Sequence, residues 1–396
     1  MTKIYLKKGR EESLKRFHPW VFSGAVAQMT GRPAEGDIVD VYAADGEYLA
    51  SGHYQVGSIA VRILSFHSDP HDPAFWTDTL GAAVRMRRQL GLFGGGTNCF
   101  RLVHGEGDGL PGLIIDWYDG VCVMQAHSAG MFRAAKQISA ALQEIFGDEL
   151  KAVYNKSERT APFKAGLELI DGYLYRAPGF GLPELEVSEN GHRFLVNWEE
   201  GQKTGFFLDQ RENRALVGRL AAGRRVLNLF CYTGGFSVYA LAGGAESVTS
   251  VDSSARAMAL TAQNLRLSGA APEAVTNVTD DALDFLAAVP EGKYDLMIVD
   301  PPAFAKHRGA LKNGLRAYQR LNAAAIAKVA PGGLVFTFSC SQVVDKETFA
   351  LTVFSAAAQT GRRVRILDRL CQGPDHPVNI YHPEGEYLKG LLLYVD

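Results

Sequence analysis

Cysteine is scarce in this chain and neither sign of charge dominates. The five cysteines among 396 residues, Cys99, Cys122, Cys231, Cys340 and Cys371, are too scattered for a disulfide framework. No two form the Cys-x-x-Cys pair that suggests zinc, and no metal is expected. No stretch approaches the roughly 20 apolar residues of a membrane span, and the basic N-terminal segment lacks the apolar run of a signal peptide. A cytoplasmic protein with no membrane partner is therefore expected. A formal net charge of −2 gives no global attraction to nucleic acid, so any such surface must be a local basic patch. What is present is 47% hydrophobic and 21% charged residues, the composition of a globular protein. The length predicts two or three domains.

The pattern along the chain changes twice. Residues 1–68 carry short apolar runs, Trp20 to Phe22, Asp37 to Val41, Tyr48 to Ala50 and Ile59 to Leu64, broken by turn signals, which predict a small β-barrel. The stretch from Pro70 to Pro73 reads as a linker. Residues 72–188 predict a central α+β domain. A helix over Phe75 to Leu92 carries a basic stripe of Arg85, Arg87 and Arg88 and precedes a tight loop with Gly105, Gly107 and Gly109. A strand at Val121 to Ala126, a helix at Phe132 to Phe146 and a strand at Ala152 to Asn155 complete that domain. Residues 193–396 alternate strands with helices, the pattern of a Rossmann-like parallel sheet. Strands are expected at Arg225 to Leu229, Ser247 to Val251, Ala274 to Val278, Leu296 to Val299 and Gly333 to Thr337, with a last one within Tyr387 to Val395.

Ligands of such sheets sit at the carboxyl ends of the strands, so the loops there carry the chemistry. The first of them, Phe230-Cys231-Tyr232-Thr233-Gly234-Gly235, follows Asn228 and leads into a helix whose amides suit an anionic group. The second strand ends in Asp252, an acid able to accept hydrogen bonds from both ribose hydroxyls of a nucleoside cofactor. To this point a nicotinamide cofactor stays open. Asp281, after the third strand, can hold an adenine amine. Asp300-Pro301-Pro302-Ala303-Phe304, after the fourth, resembles the signature of methyltransferases that act on planar nitrogen heterocycles, and turns the reading to S-adenosylmethionine.

Carbon 5 of cytosine is too weak a nucleophile to take a methyl group unaided, so a nucleophile must first add at carbon 6, and a thiolate is the usual choice. Cys340 follows the fifth strand and should share the crevice with Asp300, which would hydrogen-bond the cytosine edge. Pro301 and Pro302 would fix the loop under the base. Cys231, inside the cofactor loop, reads as a packing residue. No acid occurs between Pro301 and Val344, while Lys306, Arg308, Lys312, Arg316, Arg320 and Lys328 supply positive charge for phosphate contact. Two other readings stay open: methylation of an exocyclic base amine, which needs no cysteine, and a non-catalytic RNA-binding assembly factor.

At these residues the sequence resembles the RlmI-type family of 5-methylcytosine methyltransferases of large-subunit (23S) ribosomal RNA. The resemblance spans the chain and rests on His18-Pro19-Trp20-Val21-Phe22, Arg101 to Glu106, Gly201 to Arg211, the loop from Phe230 to Ser237, Asp300-Pro301-Pro302 and Ser339-Cys340-Ser341. It implies an N-terminal PUA domain that binds RNA, a central α+β domain and a methyltransferase domain using S-adenosylmethionine, with Gln210 and Arg211 as cofactor contacts and ribosomal RNA as partner. Family members often carry Asp where this chain has Asn228. Homodimer formation is left open.

Overall fold

The computed structural model describes residues 2–162, 165–181 and 184–396. The chain forms two compact units, and each is assembled from separate stretches. The first holds Met1–Val187, Val196–Leu208 and Pro374–Gly385; the second holds Ser188–Leu195, Asp209–Gly373 and Glu386–Asp396.

The first unit opens with β1 (Thr2–Leu6), α1 (Glu12–Lys15), β2 (Trp20–Phe22), β3 (Val26–Met29), β4 (Ile38–Tyr42), β5 (Tyr48–Tyr54) and β6 (Ile59–Ser65). These strands form one sheet in the order β2-β6-β5-β4-β1-β3. Alternate residues, Val39 and Val41, Val61 and Ile63, meet Ile4 and Leu6 in a core of its own. The expected linker is a pair of tight turns, in which Asp69 accepts from His71 N–H at 2.9 Å and Asp72 from Ala74 N–H at 2.9 Å.

A second sheet follows. Its elements are α2 (Phe75–Gln89), β7 (Cys99–His104), β8 (Leu113–Tyr118), β9 (Val121–Ala126), α3 (Ala129–Arg133), α4 (Ala135–Phe146), β10 (Ala152–Asn155) and β11 (Gly172–Arg176), with strand order β11-β10-β9-β8-β7. Leu80 and Val84 of α2 and Ile138 and Leu142 of α4 cover Phe100, Ile115, Met124 and Val153. Two expectations need correction. The helix expected from Phe132 starts earlier, because Ser128 Oγ caps the N–H of Met131 at 3.2 Å. The basic stripe on α2 is not one surface: Arg85 and Arg88 are exposed, but Arg87 is fully buried. Arg87 donates to both carboxylate oxygens of Asp108 and to the carbonyls of Arg101 at 2.8 Å and Asp375 at 2.7 Å. The glycine-rich loop thus serves to bring Asp108 back under α2. After this, β12 (Glu184–Glu189) and β13 (His192–Asn197) pair as a two-stranded sheet.

The second unit is built on α5 (Arg211–Leu220), β14 (Arg225–Leu229), α6 (Gly235–Ala242), β15 (Ser247–Asp252), α7 (Ala255–Leu267), β16 (Val275–Thr279), α8 (Ala282–Ala288), β17 (Tyr294–Val299), α9 (Leu311–Lys328), β18 (Val329–Ser339), α10 (Lys346–Thr360), β19 (Val364–Leu370) and β20 (Lys389–Val395). The strand order is β16-β15-β14-β17-β18-β20-β19, parallel except at β20. The inner strand β17 carries a continuous apolar run from Leu296 to Val299 because both of its faces are covered. Leu227, Met297 and Val335 face a core with α8, α9 and α10, while Val226, Ile298 and Phe336 face one with α5 and α6. The order reverses between β14 and β17, which opens a crevice at their carboxyl ends. Among the described residues no helix is long and apolar enough to cross a membrane.

Candidate active site at the carboxyl edge of the second sheet

The loop after β14 is held in a costly shape. Phe230 and Tyr232 have φ of 56° and 48°, values that L side chains seldom adopt, and Gly234 follows at 78°. Strain of this kind persists only where neighbours over-determine it. They do: Cys231 N–H donates to Val251 O at 3.1 Å, Thr261 Oγ1 to Tyr232 O at 2.7 Å, and Asn264 Nδ2 to Thr233 O at 2.8 Å. A Cβ on Gly234 would lie 2.7 Å from Thr261 Cγ2. The glycine is required by its positive φ and by the close packing of α7. Gly235 opens α6 against the buried Arg214, which pairs with the buried Glu189.

Beneath the loop, Asn228 is buried on β14 and its Nδ2 donates to Ser237 Oγ at 2.9 Å; its Oδ1 has no hydrogen-bond partner among the described residues. Asp252 ends β15. Its Oδ2 accepts from Tyr232 N–H at 3.0 Å and its Oδ1 from Ser254 N–H at 2.9 Å. Both oxygens are thereby oriented, and each keeps a second lone pair for a diol. Asp281 caps α8, since its Oδ1 accepts from the N–H of Leu283 and of Asp284. Cys231 is a packing residue, with Sγ 3.4 Å from Met258 Sδ, and burial pushes its thiol up to about 12. An unpartnered acceptor below the loop, an oriented carboxylate beside it and a glycine-led helix beyond it fit a nucleoside cofactor with an amino-acid tail.

Asp300 follows β17 and Cys340 follows β18, and the parallel register pairs Val299 with Thr337, so both residues leave neighbouring strands at the same edge. Gln210, buried at the start of α5, donates through Nε2 to Asp300 Oδ2 at 3.0 Å. Gln210 is itself held by Asn213, whose Nδ2 donates to Gln210 Oε1 at 2.6 Å. Arg211 is buried and donates through Nε to Glu212 at 3.2 Å. Ser341 stitches the two loops: its Oγ accepts from Ala305 N–H at 3.2 Å and shares a hydrogen bond with Tyr318 OH at 2.9 Å. Gly314 of α9 lets the loop from Asp300 to Ala305 settle, since a Cβ there would stand 2.7 Å from the Ala305 Cβ. Lys389 of β20 donates through Nζ to Ser341 O at 2.6 Å.

Pro301 is buried, whereas Pro302, Lys306 and Arg308 are exposed. Lys312, Arg316 and Arg320 recur every four residues on the exposed face of α9, so the acid-free run forms a basic stripe in space as well as in sequence.

Sequence reasoning missed Asn213, Thr261, Asn264, Tyr318, Ser341 in its stitching role, and Lys389. Only Lys389 had a readable signal, as the one charge inside the apolar run that ends the chain. Among the described residues, His18, His382 and Glu384 have ligand-type atoms within 4.8 Å of one another, and they belong to the first unit.

Comparison with known proteins bears directly on this edge. A family model described as an S-adenosylmethionine-dependent methyltransferase matches residues 100–392, and one described as a PUA-like domain matches residues 4–66. Fold and matches together define a methyltransferase that uses S-adenosylmethionine and carries a PUA-like domain. Ribosomal RNA large subunit methyltransferase I of Alteromonas mediterranea is 39% identical over 398 residues, covering 100% of this chain and 99% of its own. The protein of the same name from Klebsiella pneumoniae is 40% identical over 393 residues, covering 98% and 97%. This chain belongs to the ribosomal RNA large subunit methyltransferase I family. The fold extends further: a structure solved in complex with SAH matches with a TM-score of 0.85, and one from Streptococcus mutans with 0.84, each 22% identical and covering 100% of both chains.

Proposed function

We propose that the chain methylates carbon 5 of a cytosine in large-subunit ribosomal RNA, with Cys340 adding covalently to carbon 6. The observation that carries this reading is the stitch at Ser341, which ties the Asp300 loop to the residue after Cys340. The names of the full-length relatives support the RNA substrate. Residues 1–68 would dock the RNA, 72–188 form the central domain and 193–396 perform the chemistry, in the cytoplasm.

When bound, S-adenosylmethionine supplies an electrophilic methyl group. Asp252 receives the ribose hydroxyls, with its oxygens already oriented by backbone amides. Asn228, Phe230, Tyr232, Thr233, Gly234 and Gly235 form the bed for the rest of the cofactor, with Gln210 and Arg211 at its border and Asp281 towards the adenine. Asp300, aligned by Gln210, accepts from the cytosine amine. An acid at this edge favours cytosine over uracil, which presents a carbonyl there. The Cys340 thiolate adds to carbon 6, and the pair of electrons displaced from the double bond makes carbon 5 nucleophilic. Pro301 and Pro302 stiffen the loop under the base, while Lys306, Arg308 and the stripe on α9 meet the phosphates.

Mass mapping of ribosomal RNA from cells lacking the protein should lose one 5-methylcytosine, restored by adding back the wild-type gene. Loss of an N-methylated base instead would replace this reading with exocyclic amine transfer, and an unchanged map would replace it with an assembly role. For Asp252→Ala, two charge-assisted hydrogen bonds are removed at about 1.5–3 kcal/mol each, so cofactor affinity should fall about 100-fold or more by calorimetry. An affinity within about three-fold of wild type would show that Asp252 does not hold the ribose.

A further inference from the structure

A buried ammonium group requires a counter-charge, and among the described residues Lys389 has no carboxylate paired with it to supply one. Its side chain is 4% exposed, and β20 pairs it with Ser339 of β18, next to Cys340. Nζ donates to the carbonyl oxygens of Ser341 and Tyr387, each at 2.6 Å, and forms no ion pair with a carboxylate among the described residues. A lysine has three N–H donors, so these two neutral acceptors leave one N–H and no directly bonded counter-charge among the described residues. The acids near it are engaged: Asp345 Oδ1 caps α10 through Thr348 N–H at 2.6 Å, and Glu386 pairs with Lys346. The groups whose charge reaches Lys389 are Cys340, Asp345 and Glu386, with Cys340 foremost among them, and the charge of Cys340 also reaches Tyr318 of α9.

We infer that Lys389 is the positioning residue of Cys340: its third N–H is donated to the Cys340 sulfur, so that the buried ammonium and the half-buried thiolate form one charge pair. This deepens the proposed function and rests on Cys340 as its nucleophile. In the addition step the sulfur lone pair forms the S–C6 bond and the C5–C6 double-bond pair moves onto the ring. In the elimination step, after carbon 5 has taken the methyl group from the sulfonium, a general base removes the carbon-5 proton. The C5–H electron pair re-forms the C5–C6 double bond, and the S–C6 bond breaks with its electrons returning to sulfur. Lys389 keeps its three protons throughout and stabilises the thiolate before the first step and after the second.

Burial lowers the Lys389 pKa to about 8. A base whose pKa is lowered loses its proton earlier as pH rises, so the ammonium is present below about 8 and lost above it. The assisted thiolate therefore exists from its own titration up to that limit.

The test is the rate of alkylation of Cys340 by iodoacetamide in the full chain between pH 5 and 9, read by peptide mass mapping, with the exposed Cys371 as internal control. Wild-type Cys340 should titrate at least about one unit below the ordinary thiol value near 8.5. Lys389→Met should raise that midpoint by about one unit or more, slowing alkylation at pH 7 about ten-fold, while Lys389→Arg stays within about three-fold of wild type and Cys371 is unchanged. A wild-type midpoint at or above about 8.5 overturns the pairing without any variant, and so does a Lys389→Met profile that superimposes on wild type. Because the readout is the thiolate and not methyl transfer, a Cys340→Ala chain that still methylates RNA would end the covalent mechanism and leave the alkylation result to judge the pair.

Discussion

Cys340→Ala should lose methyl transfer to ribosomal RNA by roughly 10³-fold or more in kcat while binding S-adenosylmethionine with unchanged affinity. The split follows from where the residue stands. Cys340 leaves β18, and β14 and β17 separate that strand from Asp252 on β15, so its removal touches neither the loop after β14 nor the carboxylate beside it. In the proposed mechanism what disappears is the addition at carbon 6, which would make carbon 5 nucleophilic enough to take the methyl group. A parallel measurement uses RNA carrying 5-fluorocytosine at the target, where the absence of a removable proton should arrest the reaction as a protein–RNA adduct. The adduct should form with wild type and not with Cys340→Ala. Full activity in the alanine variant would remove the cysteine from the reaction and favour transfer to an exocyclic amine.

The other large effect concerns stability. Asp108→Ala should destabilise the first unit by about 3–5 kcal/mol, because it leaves the fully buried Arg87 guanidinium without its only carboxylate among the described residues. The remaining bonds of Arg87, to the carbonyls of Arg101 and Asp375, do not neutralise the charge. Removing Asp108 also takes away the acceptor of His104 N–H, bound at 2.6 Å. All four tryptophans, Trp20, Trp76, Trp117 and Trp198, belong to this unit, so tryptophan fluorescence during urea unfolding reports on it alone. A midpoint shifted by less than the equivalent of about 1 kcal/mol would mean that solvent reaches Arg87 and that the pair is not buried in solution.

Much of the second unit is legible in the sequence. The strands β14, β17 and β18 read as largely apolar runs because a doubly covered parallel strand has no polar face to interrupt them. β19 was missed for the opposite reason: it is a sheet edge carrying Arg365, Asp368 and Arg369, and nothing in its pattern distinguishes it from an exposed loop. The arginines of α2 mark a different limit. Composition counts Arg85, Arg87 and Arg88 as one basic stripe, but helical rotation turns Arg87 inward, where only the fold supplies Asp108 as its partner.

The site divides in the same way. That Asp252, Asp300 and Cys340 stand at one edge could be read from the sequence because parallel strands deliver whatever follows them there, a consequence of local pattern and chain direction alone. Their orientation could not. The amide that holds Asp252 lies 20 residues back in the chain, Gln210 reaches Asp300 across 90 residues, and Lys389 meets Ser341 across 48. Hydrogen bonds of that span depend on sheet order and register, which no local spacing encodes. The sequence by itself determined the class of protein and the residue types offered to the crevice. Only the tertiary structure decided which groups hold them, because a buried charge is answered by whichever partner the packed chain brings within reach.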